Sequence, residues 1–343
     1  MTTEQHGGNI FAHSVQYDFS ANLNPLGLPE SVRQAVFADS ALWAHYPDPY
    51  CTELRKSLSE YEHCPPEQII CGNGADDLLY RIIQAFRPKR ALICAPTFGE
   101  YQKALAEHGC LIQEYPLDEK NYFLLTDAFL NALTSDIDML ILCHPNNPTG
   151  KCIPAELLEK IAGICYQKKM ILLCDECFLD FIPNPVSIRN FMQENIIILK
   201  AFTKTYAMPG LRLGYAMTGC PEYAGKIQQA GQFWSVSAPA QTAGIAVLKE
   251  QHYLKDTLDL IQKERQFLQK SLSELHLKYY PSDANFILFR AEPDLKSKLL
   301  SEKILIRDCS NYTGLDETFY RIAVRNHTEN QVLISALRRC IHG

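Results

Sequence analysis

Short, almost wholly apolar runs recur along the middle of the chain, at residues 91–95, 139–143, 170–174, 196–200 and 213–217. Runs of about five such residues suit strands covered on both faces, where alternation with polar residues is lost. Amphipathic stretches separate them. Leu78, Leu79, Ile82, Ile83 and Phe86 share one helical face, and Leu157, Leu158, Ile161 and Ile164 share another. Strands and helices alternating in this way predict an α/β fold, a large domain whose mostly parallel sheet is sandwiched by helices. From about residue 238 the pattern changes. A long helical region to about 277, a strand-like Asn285-Phe286-Ile287-Leu288-Phe289 and a final helix near 331–340 predict a small α+β domain. Residues 1–30 carry Gly7-Gly8 and Asn24-Pro25-Leu26-Gly27, turn formers expected outside the sheet core. The expected division is an N-terminal segment, 1–30, a large domain, 31–240, and a small C-terminal domain, 241–343.

Composition narrows the function classes. The 343 residues suit two domains, and 47% hydrophobic content excludes a disordered chain. Lys and Arg number 33 against 39 Asp and Glu, a net charge of −6. That balance argues against a nucleic-acid partner, which needs clustered cations to displace counterions. No apolar run approaches the ~20 residues of a membrane span. The opening Met1-Thr2-Thr3-Glu4-Gln5-His6-Gly7-Gly8 lacks the basic-then-apolar pattern of a secretion signal. The expected location is cytoplasmic, with no membrane partner. The 13 cysteines are then expected as reduced, buried thiols. Cys174 and Cys177 have CxxC spacing, but strand alternation sends an offset of three to opposite sides of a sheet. No second CxxC completes a zinc site, and no metal is expected.

In an open α/β sheet, ligands bind beyond the carboxyl ends of the strands. Gly72-Asn73-Gly74-Ala75-Asp76 follows the apolar 69–71 and precedes a helix. His144-Pro145-Asn146-Asn147-Pro148-Thr149-Gly150 follows 139–143, and Asp175 follows 170–174. Thr203-Lys204 and then Gly210-Leu211-Arg212-Leu213-Gly214 follow 196–200. Each has a plain alternative: a helix-entry turn, a turn asparagine, a helix cap, a solvated lysine, a surface arginine. Together they match pyridoxal 5′-phosphate. Its aldehyde needs an amine, its ring nitrogen a carboxylate, and its phosphate needs hydroxyls, helix N–H groups and an arginine. Gly72-Asn73-Gly74 is also compatible with a dinucleotide site, although the third glycine of that fingerprint is missing.

These motifs resemble the fold-type I aminotransferase superfamily over almost the whole chain. By that resemblance, Lys204 is the lysine that bonds to the coenzyme aldehyde and Asp175 is the partner of the ring nitrogen. Asn147 binds the 3′-oxygen, and Thr203, Arg212, Gly74, Ala75 and Asp76 bind the phosphate. Phe98, in Ala95-Pro96-Thr97-Phe98-Gly99, stacks on the ring. Tyr46 reaches the coenzyme phosphate of a neighbouring subunit, which implies a homodimer. Phe178 stands where related histidinol-phosphate aminotransferases carry Tyr, so a second hydrogen bond to the 3′-oxygen is expected to be absent.

Two further stretches sharpen the likeness. His6-Gly7-Gly8-Asn9 with Asp18-Phe19-Ser20-Ala21-Asn22-Leu23-Asn24-Pro25-Leu26-Gly27, and residues 304–312 with 320–325, resemble the threonine-phosphate decarboxylases of cobalamin biosynthesis. By composition alone His6-Gly7-Gly8-Asn9 has a plain alternative, a flexible terminus. The resemblance implies that Arg307 and Arg321 anchor a small phosphorylated amino acid. His6, Asn9 and Asn22 then close over it, with the N-terminal segment packed against the small domain. The implied reaction is decarboxylation of L-threonine O-3-phosphate to 1-amino-2-propanol O-2-phosphate. The alternative is histidinol-phosphate aminotransferase with 2-oxoglutarate as acceptor. A coenzyme-binding regulator and a bare dinucleotide-binding protein are readings from other classes. Intact Lys204 and the absence of a basic segment before Asp18 speak against the regulator.

Overall fold

The computed structural model describes residues 6–342. After a two-residue strand β1 (Tyr17–Asp18), the chain builds a seven-stranded sheet. Its strands are β2 (Ile69–Gly72), β3 (Arg90–Ala95), β4 (Leu111–Pro116), β5 (Met139–Cys143), β6 (Ile171–Asp175), β7 (Ile196–Ala201) and β8 (Gly214–Thr218). Their order is β2-β8-β7-β6-β5-β3-β4. β8 runs antiparallel to both its neighbours and every other pairing is parallel, so the sheet is mostly parallel as the alternating pattern predicts.

Both faces are covered, which is why the strand sequences lack polar alternation. Leu140 and Leu142 of β5 pack with Leu172 and Ile198 in one core, while Met139 and Ile141 pack with Leu173 and Ile197 in the other. Burying each such side chain contributes roughly 1.5–3 kcal/mol. Cys174 lies in the first core and Cys177 in the second, on opposite faces as strand geometry requires. All 13 cysteines are free thiols. β4 escapes the apolar-run criterion because it is an edge strand with exposed positions, Leu111 among them.

Residues 238–277, which read as one helical region, form two helices, Ala238–Val247 and Tyr253–Glu274. The break reflects a change of core. Ala240, Ala243 and Val247 pack with Leu54 and Leu213, and Gly244 permits that approach, since a Cβ there would lie 2.7 Å from side-chain carbons of both leucines. Ile261, Leu268 and Leu272 of the longer helix join a separate core with Phe286, Phe289 and Ile322. Over this second core lies a four-stranded antiparallel sheet. It comprises β9 (Tyr279–Tyr280), β10 (Phe286–Arg290), β12 (Arg307–Asp308) and β13 (Phe319–Ala323), in the order β12-β13-β10-β9. Between β10 and β12, β11 (Ile304–Leu305) pairs in parallel with β1, and Phe19 of the N-terminal segment is buried in the second core. No helix among the described residues is long and apolar enough to cross a membrane.

Candidate active site

The sheet order sets β7, β6 and β5 side by side, so the groups at their carboxyl ends converge. β7 runs into the one-turn helix Phe202–Thr205, which carries Thr203 and Lys204. β6 ends on Asp175, and the turn after β5 carries Asn147. All four line one cavity of about 540 Å³, a size suited to a coenzyme and a small substrate. His6, Asn22, Ala75, Asp76, Phe98, Arg212, Arg307 and Arg321 line it too.

Lys204 is half-buried and opens onto this cavity. Desolvation holds its amine below the usual lysine pKa, and the positive charge of Arg321 pushes the same way. Asp175 is buried, and that burial raises its carboxyl above the usual value. Three donors oppose the rise: the Cys177 thiol, the Tyr101 hydroxyl at 2.6 Å from Oδ2 and the Cys177 backbone N–H at 2.9 Å from Oδ1. A protonated ring nitrogen beside Asp175 would favour its ionised form further, as an adjacent cation does for any carboxylate.

The opposite end of the cavity is built for a phosphate. Gly74 (φ +88°) caps the helix Ala75–Phe86, whose first N–H groups have no carbonyl four residues back. A Cβ on Gly74 would lie 2.5 Å from Arg212 Nη2, so glycine is what lets the guanidinium lie against the helix entry. Gly214 does the same for β8: a Cβ there would lie 2.6 Å from the Ala75 nitrogen. Arg212 also approaches the Asp76 carboxylate, at 3.6 Å. A helix N-terminus, a hydroxyl at Thr203 and an arginine form a cup that attracts a dianion.

Beyond the lysine lie the two arginines. Arg307 and Arg321 are both buried. Arg321 Nη1 donates to Asn147 Oδ1, which commits that oxygen and leaves the Asn147 Nδ2 as donor. Arg321 Nη2 donates to the Ser20 carbonyl at 2.8 Å, and Arg307 Nη2 to Asn311 Oδ1 at 2.7 Å. His6 reaches the mouth of the cavity, 2.7 Å from Glu100 Oε1, with its ring against Phe98. Phe178 lines the wall as a phenyl ring packed on Phe286 and brings no hydroxyl.

Two expected residues lie elsewhere. Asn9 is exposed and does not line the cavity. Tyr46 is 80% exposed and its ring stacks on Trp234, outside the cavity of its own chain. Sequence reasoning missed Tyr101, Ser20, Glu100 and Tyr312, which line the cavity. Tyr101 was within reach of it, because it stands three residues after Phe98, a spacing that one helical turn brings to the same side. Tyr312, beneath the Arg307 guanidinium at 5.5 Å, carries no comparable local signal.

The donor set fits pyridoxal phosphate, and two buried polar atoms of cavity-lining residues, Asn22 Oδ1 and Arg321 Nε, have no hydrogen-bond partner. Fold and site together define a pyridoxal-phosphate enzyme with an aminotransferase-like fold. The sequence matches the family model "Aminotransferase class I and II" over residues 14–337, and the chain belongs to that pyridoxal-phosphate-dependent family. It is 38% identical to threonine-phosphate decarboxylase of Salmonella typhimurium over 352 residues, covering 98% of this chain and 97% of that protein. The crystal structure of histidinol-phosphate aminotransferase from Clostridium acetobutylicum superposes with a TM-score of 0.88 at 30% identity, over 95% of this chain and 99% of that one. L-threonine-O-3-phosphate decarboxylase from Porphyromonas gingivalis superposes with a TM-score of 0.84 at 27% identity, over 95% and 99% of the respective chains.

Proposed function

We propose that this protein decarboxylates L-threonine O-3-phosphate to 1-amino-2-propanol O-2-phosphate, in cobalamin biosynthesis. The observation that carries the reading is the pair of buried arginines, Arg307 and Arg321, lining the same cavity as Lys204. Two cations suit a substrate with two anionic groups, a phosphate and a carboxylate. Histidinol phosphate offers only one. The similarity to threonine-phosphate decarboxylases points the same way.

Lys204 would bond to the coenzyme aldehyde, and Asp175, oriented by Tyr101, would keep the proton on the ring nitrogen. Asn147 binds the 3′-oxygen and Phe98 stacks on the ring. Thr203, Arg212 and the N–H groups of Ala75 and Asp76, entered through Gly74, hold the phosphate. When bound, the coenzyme would supply an electron sink for the pair released at the substrate Cα. Arg307 and Arg321 would select the bond at Cα that breaks by fixing the orientation of the substrate's carboxylate and phosphate. The Lys204 amine, released when the substrate amine takes its place on the aldehyde, would return a proton to Cα after CO2 leaves. Asn22 and His6 close the substrate off from water, and Asn9 joins them when the N-terminal segment closes further. We further propose a homodimer in which Tyr46 serves the neighbouring subunit's phosphate site. Its support is an exposed run of rings in contact, Tyr46, Trp234, Phe233 and Tyr50, with a second exposed pair, Phe37 and Trp43.

Purified protein loaded with coenzyme and given L-threonine O-3-phosphate is expected to release CO2 with no keto acid present, with 1-amino-2-propanol O-2-phosphate identified by mass spectrometry. Turnover only with 2-oxoglutarate added, and histidinol phosphate as donor, would replace this reading by the aminotransferase one. Lys204→Ala is expected to abolish turnover.

A further inference from the structure

Asn24 lies in a turn-rich segment, yet it is 1% exposed. Its backbone N–H donates to the Lys204 carbonyl at 3.0 Å. Its side-chain Nδ2 donates to the Thr205 carbonyl at 2.8 Å and to Thr257 Oγ1 at 2.7 Å. Phe202–Thr205 is a single turn, whose carbonyls have few N–H partners within the helix itself. Within its own segment the Lys204 carbonyl accepts from the Tyr206 N–H and, at a long 3.4 Å, from the Ala207 N–H. Two of the bonds that hold the lysine turn thus come from one residue 180 positions upstream, and a third ties that residue to the helix Tyr253–Glu274. From the other side, the Thr205 hydroxyl donates to Asp180 Oδ2 at 2.9 Å.

The same stretch reaches the anion end of the cavity. The Ser20 carbonyl accepts from Arg321, and the Asn22 carbonyl accepts from Asn285 Nδ2 at 3.0 Å. Residues 20–24 therefore form a seam from the arginine to the lysine. A rigid amide at its end fixes the lysine backbone in a way the one-turn helix cannot.

We propose that Asn24 is a positioning residue for Lys204: its backbone N–H holds the Lys204 carbonyl and its side-chain amide the Thr205 carbonyl, and so presentation of the amine depends on docking of the N-terminal segment. The proposal rests on the reading of Lys204 as the residue that bonds to the coenzyme. An amine displaced by a fraction of an ångström loses the alignment needed for bond formation and proton return, an effect that reaches about a hundredfold for displacements near 1 Å.

The test compares Asn24→Ala, which removes the side-chain bonds to the Thr205 carbonyl and Thr257 and keeps the backbone bond to Lys204, with Thr257→Val, which removes only the tie to the long helix. In Asn24→Ala, kcat is expected to fall by roughly tenfold to a hundredfold while KM stays within about threefold. The pH midpoint of the bound-coenzyme absorbance should shift with it. Thr257→Val is expected to lower the thermal midpoint and leave both kcat and the absorbance midpoint where they are. An unmoved midpoint and kcat in Asn24→Ala would overturn the proposal, as would the same shift in Thr257→Val. Should Asn24→Ala not fold, Asn24→Ser, whose hydroxyl is too short to span to the Thr205 carbonyl, is read by the same criteria. Borohydride reduction and peptide mapping of the wild type separate the two readings. A label on another residue removes the role of Lys204 itself. A label on Lys204 with unmoved Asn24 variants removes only the clamp.

Discussion

Arg307 and Arg321 stand directly opposite each other on β12 and β13, and both are buried. Residues paired in this way project from the same face of the sheet, where like charges repel. A folded chain tolerates such a pair when its ligand brings compensating negative charge. Inorganic phosphate or L-threonine O-3-phosphate is therefore expected to raise the thermal midpoint, by about 2.7 kcal/mol of stability at a hundredfold excess over Kd. Arg307→Gln should weaken the phosphorylated substrate by roughly 1.5–3 kcal/mol, the range for a hydrogen bond to a charged group. Calorimetric titration checks it, and an unchanged Kd would remove Arg307 from the anion site.

Tyr101 is held well above the usual phenol pKa by burial and by Asp175, so its hydroxyl stays a donor. Tyr101→Phe removes one of the three donors that oppose the raised pKa of Asp175. The carboxyl then rises further, and the variant is expected to lose about 1.5–3 kcal/mol where Asp175 is ionised. The penalty should shrink as pH falls and Asp175 takes up its proton. Urea denaturation of wild type and variant across that range measures it, and a penalty independent of pH would contradict the coupling.

Glu176 shows a second buried carboxyl, facing Lys200 and Glu62 and accepting from Ser187 Oγ at 2.8 Å and the Ile188 N–H at 2.8 Å. Burial outweighs these partners and pushes its pKa up from 4.5 to about 7. A raised folded value means that the proton binds more tightly in the folded state. The stability this group contributes is complete below about pH 4.5 and is lost as pH rises through about 7. Glu176→Gln removes that slope. Relative to wild type, the variant should gain up to roughly 3 kcal/mol between about pH 5 and about pH 8. An equal stability difference at the two pH values would show that the carboxyl does not titrate there.

Gly74→Ala tests the phosphate cup. At φ +88° and ψ 168° the backbone occupies a region that is essentially glycine-only and costs other residues of order 1–3 kcal/mol. The added methyl also meets Arg212 Nη2 at 2.5 Å. Coenzyme affinity is expected to fall about tenfold or more, a change of at least ~1.4 kcal/mol. Equilibrium dialysis measures it, and unaltered affinity would show that the guanidinium can move without loss.

The sequence alone determined the sandwiched sheet, because burial on both faces leaves apolar runs readable over five or six residues. It also marked Asp175, Lys204, Asn147 and the Gly74–Asp76 turn, since each directly follows such a run and strand ends are where this fold binds ligands. Tertiary structure alone decided the reversed direction of β8, the place of β4 at an edge, and the break between the helices Ala238–Val247 and Tyr253–Glu274. It also decided the partners. Tyr101 finds Asp175 across 74 positions, Arg321 finds Asn147 across 174, and Asn24 finds Thr205 across 181. Local periodicity reports which face of an element is buried. Which distant groups then meet depends on strand order, direction and register, and these arise only when the whole chain packs.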